Sequence, residues 1–112
     1  MTRNFFNFEH EIKQMMDEHP GNSSDRHTKI LAKTDSYRLL LVSLTKNTHI
    51  REHQVEGRVF IQTLKGEIHV GNGDESVKLP KGCLTTLAPM QKHDVFATQD
   101  SVFLLTITQL NS

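Results

Sequence analysis

Two segments constrain how this chain can fold more than any others: "YRLLLVSLTK" (37–46) and "SVFLLTITQL" (101–110). Their Leu, Val, Ile and Phe content marks them as strands. Successive side chains of a strand point to opposite faces of the sheet. Here both faces are apolar, with Leu39, Leu40, Leu41, Val42 and Leu44 in one segment and Phe103, Leu104, Leu105 and Ile107 in the other. A sheet built on them cannot leave either face to water. One face can line the inside of a barrel. The other needs a cover, either an amphipathic helix or a second subunit.

The N-terminal residues offer such a helix. Phe5, Phe8, Ile12, Met15 and Met16 fall on one face of a helix over residues 5–18. Asn4 and Asn7 are candidate N-caps, and Glu9 and Glu11 suit the positive end of the helix dipole. Pro20 and Gly21 stop it, and "HPGNSSDRH" (19–27) reads as a loop. From residue 28 the pattern becomes one of short strands between turns. They are 28–34, 37–46, 58–65, 67–71, 76–80, 83–88, 93–98 and 101–110, with "TDS", "GNGDE", "PKG", "APMQK" and "TQDS" as turns. Eight short strands at near-regular spacing predict a sandwich or barrel, not alternating helices and strands. The expected organisation is an N-terminal helix and loop over 1–27 and an all-β barrel domain over 28–112. The apolar surplus of the strands and the Phe/Met stripe together predict a homodimer.

A chain of 112 residues suits one domain. Its 13 Lys and Arg balance its 13 Asp and Glu, and it has no basic stripe, which speaks against nucleic acid as a partner. Its one cysteine, Cys83, rules out an intrachain disulfide, and its place at the start of a strand predicts a small buried apolar residue. The first residues lack the apolar run of a signal peptide, and no stretch approaches the roughly 18 apolar residues that span a bilayer. A cytoplasmic protein without a membrane partner is expected.

Two stretches carry the candidate chemistry. "EHQVEGRVFIQTLKGEI" holds His53 and Gly66, and "LPKGCLTTLAPMQKHDVFA" holds Gly82 and His93. In order and spacing, over roughly residues 28–110, they resemble the two short motifs of the cupin superfamily of small jelly-roll barrels. The resemblance implies a cupin-type jelly-roll β-barrel in which His53 and His93 occupy two of the usual metal-ligand positions. Two other positions depart from the pattern. The second histidine of the first motif falls near Val55, and its acid falls near Val59. The proline of the second motif is displaced to Pro89 or replaced by Ala88, and its glycine falls at Met90.

His49 is the nearest further histidine in sequence. On a straight strand it stands about 13 Å from His53, too far for both rings to hold one ion at about 2 Å. Glu52, Glu56 and Gln62 are nearby polar groups, and alternation turns Gln62 away from the face of Val59 and Ile61. His10, His19, His27 and His69 read as surface residues. The resemblance therefore implies a small-molecule-binding barrel with a degenerate site: His53 and His93 as ligands of a weakly bound divalent ion, and Val55 and Val59 lining the same pocket. The alternative is a metal-dependent cupin enzyme of dioxygenase or isomerase type.

Overall fold

The structure is a computed structural model that describes residues 4–18 and 25–108, with the backbone alone at Glu52 and His53. One helix, α1 (Phe8–Glu18), precedes nine strands among the described residues. These are β1 (Arg26–Lys33), β2 (Tyr37–Leu44), β3 (His49–His53), β4 (Arg58–Lys65), β5 (Glu67–Gly71), β6 (Ser76–Pro80), β7 (Leu84–Leu87), β8 (His93–Ala97) and β9 (Ser101–Thr108). They form two antiparallel sheets, ordered β1-β2-β9-β4-β7 and β3-β8-β5-β6.

β9 is the centre of the larger sheet, with β2 beside it, and both are covered on both sides. Between the sheets, Val42, Leu44, Phe103 and Ile107 join Val59 and Ile61 of β4 against Ile68, Val70, Val95 and Ala97 of the smaller sheet. On the outer side, Leu41 and Val102 pack with Leu31 and Met15, joined by Ile12, Met16, Leu39 and Leu104. The helix is thus the cover that the doubly apolar strands require. The apolar pattern alone no longer demands a second subunit.

Phe5 does not belong to the helical face. Asn7 is the N-cap: its Oδ1 accepts the His10 amide at 3.1 Å, so the helix begins at Phe8. Phe5 lies ahead of the cap, 79% exposed, while Phe6 and Phe8 pack into the layer beneath the helix. β1 starts at Arg26, so Arg26 and His27 leave the expected loop; residues 19–24, including Pro20 and Gly21, lie outside the described residues. β3 is an additional strand. Its sequence, HIREH, gives little strand signal because it is short and Ile50 is its one apolar residue.

Glu11 is 1% exposed within the apolar layer, and its Oε2 lies 2.7 Å from Lys29 Nζ of β1. Lys29 also donates to Gln14 Oε1 at 2.9 Å. A buried pair of this kind is costly to break by removing one partner. Lys29→Met is expected to lower stability by about 3 kcal/mol, and adding Glu11→Leu to recover most of that loss. Urea midpoints of the three chains check this.

Candidate functional site

A cavity of about 210 Å³ lies between the two sheets. Val42 of β2, Ile61 of β4, and Phe103 and Leu105 of β9 form one wall; Ile50 of β3 and Val95 of β8 form the other. Arg26 and Thr28 of β1 and His93 at the start of β8 supply its polar groups. The register explains the convergence. Val42 pairs directly with Phe103, Ile61 with Leu105, and Ile50 with Val95. Directly paired residues share a face of their sheet.

His93 is 2% exposed. Its Nδ1 lies 3.3 Å from the Gln91 carbonyl oxygen, which can only accept, so Nδ1 carries the proton of this contact. In the neutral ring Nε2 is then the nitrogen with a lone pair. His53 sits directly across from His93 in the β3–β8 ladder. Antiparallel partners have Cα atoms about 4.5–5.5 Å apart, so the backbone brings these two positions together. Between Ile50 and His53 the ladder takes three steps on β3 against two on β8, a bulge.

Val59 is buried in the core between the sheets and Val55 packs partly buried against it. The cavity wall is built from other residues, with Ile61 in place of Val59 on β4 and Ile50 in place of Val55. Arg26, Thr28, Ile50 and Phe103 carry no motif signal. Thr28 lies in the expected strand over 28–34, whereas Arg26 and Ile50 lie in the extension of β1 and in β3, which the composition does not mark as strand.

His49 faces the other way. It lies one residue from the inward Ile50, on the outer face of the smaller sheet, where its Nε2 meets Asp94 Oδ2 at 2.6 Å. Its ring stands edge-on to Phe96, with centroids 6.1 Å apart. Asp94 itself leans over Gly71, whose missing side chain leaves the carboxylate room. With Arg51 and Gly73, His49 and Asp94 line a separate surface depression. Glu56 is exposed, Gln62 and His69 are half-buried, and His10 is exposed. Cys83, expected to be buried, is exposed: it follows the turn at Gly82, where φ is 89°, and precedes β7 at the sheet edge. Among the described residues, no group of three His, Cys, Asp or Glu side chains is arranged to hold a metal ion.

The two motif segments are stitched together by backbone. Met90 N–H donates to the Val55 carbonyl at 2.7 Å, and Ala88 and Gln91 close the turn around it. Met90 holds φ at 63°, the left-handed region that favours glycine. This is the position where the resembling pattern has glycine, so the backbone shape is kept without the residue that takes it without strain. At Gly66 the shape and the residue agree: φ is 80°, and a side chain would collide with the Asp100 carbonyl and the Ser101 hydroxyl. Met90→Gly is expected to raise stability by roughly 0.5–1 kcal/mol, because the Met side chain is half exposed and its backbone is strained. Met90→Ala, which keeps the Cβ, should give no gain; thermal unfolding of both variants checks this.

No protein-family model and no curated protein matches this sequence. Solved structures do match the fold. A cupin superfamily protein from Desulfitobacterium hafniense superposes with a TM-score of 0.77 at 14% identity, covering 86% of this chain and 88% of its own. An RmlC-like cupin from Desulfovibrio desulfuricans gives 0.69 at 20%, covering 80% and 93%. KdgF from a Halomonas species gives 0.72 at 21%, covering 85% and 92%. With two antiparallel sheets, the helix on one outer face and the paired motif segments at one cavity, the chain has the fold of the small cupins.

Proposed function

We propose that this chain is a small-molecule-binding cupin whose ligand enters the cavity between the sheets and meets His93. The supporting observation is the cavity itself: an apolar chamber with one fully buried histidine on its wall. Small-molecule sites are typically concave and mostly apolar, with a few placed polar groups that orient the ligand. His93 is such a group: a buried imidazole whose Nδ1 is held by the Gln91 carbonyl, so that the ring is fixed in the cavity wall.

The second reading is a metal-dependent cupin enzyme. The observation favouring it is the register of His53 opposite His93. A divalent ion there would act as a Lewis acid toward a bound oxygen ligand. Yet resident catalytic ions generally take three protein ligands, or two histidines and a carboxylate. The valines at positions 55 and 59 remove two donors from the pattern, and the described residues bring no third one in. This donor set fits at most a weak ion completed by water, so no reaction step is assigned to it. Self-association as a homodimer belongs to the same proposal, supported now by the exposed Leu84 on the β7 edge and the exposed Phe5.

Untagged protein loaded with zinc and dialysed into metal-free buffer is expected to keep well below one equivalent. A full equivalent that is lost in His93→Ala would favour the enzyme reading instead. A small-fragment screen on the ¹⁵N-labelled chain should give binders that move the amides of Ile61, Val95 and Phe103. His93→Leu should abolish or redirect them, and His49→Ala should leave them unchanged.

A further inference from the structure

The cavity also carries information about the chemical class of its ligand, an inference that rests on the binding reading above. Most of its wall is hydrocarbon, from Val42, Ile61, Val95 and Phe103. Among the described residues that line it there is one full cation, Arg26, and no carboxylate. Arg26 is exposed to solvent and lines the cavity as well, so it belongs to the rim. The buried polar group, His93, belongs to the wall within.

We propose that the cavity takes a small monocarboxylate, with an apolar body among the aliphatic side chains and its anionic head on Arg26. A volume of about 210 Å³ is that of roughly seven waters in the liquid, enough for a body of about ten non-hydrogen atoms or fewer. A guanidinium has five N–H donors in a planar fork, so it can hold a protein partner and still present a pair of donors to a carboxylate. At the exposed rim water screens the charge, so the planar two-point fit of guanidinium to carboxylate carries the preference. A phosphate dianion fits less well, because it calls for several cations or a nest of backbone amides. A polyhydroxylated sugar fits less well too, because among the described residues of this lining Thr28 and His93 are the only other side chains that can hydrogen-bond with it.

The test uses a matched series on the full-length ¹⁵N-labelled chain: hexanoate, 1-hexanol and hexylammonium, followed at the amides of Ile61, Val95 and Phe103. Hexanoate is expected to bind at least tenfold more tightly than hexanol, and hexylammonium more weakly than either. Arg26→Gln should bring hexanoate down to the level of hexanol and leave hexanol unchanged. Arg26→Lys, which keeps the charge but loses the fork, should fall between. If hexanoate and hexanol bind the wild-type chain equally, the carboxylate assignment is overturned while the cavity reading stands. If none of the three moves those amides, both fall. The wild-type ranking decides the matter even if Arg26→Gln fails to fold.

Discussion

The interaction on which the rest of this structure depends is the double-sided burial of β9 and its neighbour β2. Their inner residues, Val42 and Phe103 among them, meet the smaller sheet, and their outer residues, Leu41 and Val102, meet Met15 of the helix. Each fully buried side chain of this size is worth about 1.5–3 kcal/mol relative to exposure, so neither face can be left open cheaply. The helix answers the outer demand within one chain. The inner demand brings the second sheet over, and with it the strand that carries His93.

Parity then separates what the site can use from what it cannot. On β3, Ile50 turns toward the cavity and His49 away from it, into contact with Asp94. The bulge after Ile50 changes the count so that His53 comes level with His93. One inserted residue therefore decides which histidine position of β3 is registered against the second motif. The loop before β8 is fixed by a backbone bond from Met90 to Val55, made in a left-handed conformation at a residue that resists it. The two histidine positions of the motif segments, 53 and 93, are thus brought level, while positions 55 and 59 carry valine.

Much of this is legible in the sequence, for identifiable reasons. The strands with strong apolar content, β2, β4, β5 and β9, stand where their composition puts them, because burial dictates both their existence and their faces. The two-sided patterning required an outer cover, and the Phe/Met stripe supplied it. Weakly patterned segments were not legible. β3 is short and largely polar, and β1 begins inside a stretch whose Gly, Asn and Ser content reads as loop. Arg26, which gives the cavity its cation, was hidden by that composition. Periodicity places Phe5 in the helix because it does not say which asparagine is the cap. Residue type and the strand start place Cys83 in the interior, whereas the turn at Gly82 sets its exposure.

That the space between the sheets is a chamber able to admit a guest is the central claim, and a crystal structure determined under xenon pressure tests it most directly. Xenon enters apolar cavities without needing a specific chemistry, so it reports the space itself. The account predicts ordered xenon among Val42, Ile50, Val95 and Phe103, with the surrounding side chains little changed. Finding no xenon there, or finding it only in the layer between the helix and the larger sheet, would contradict it.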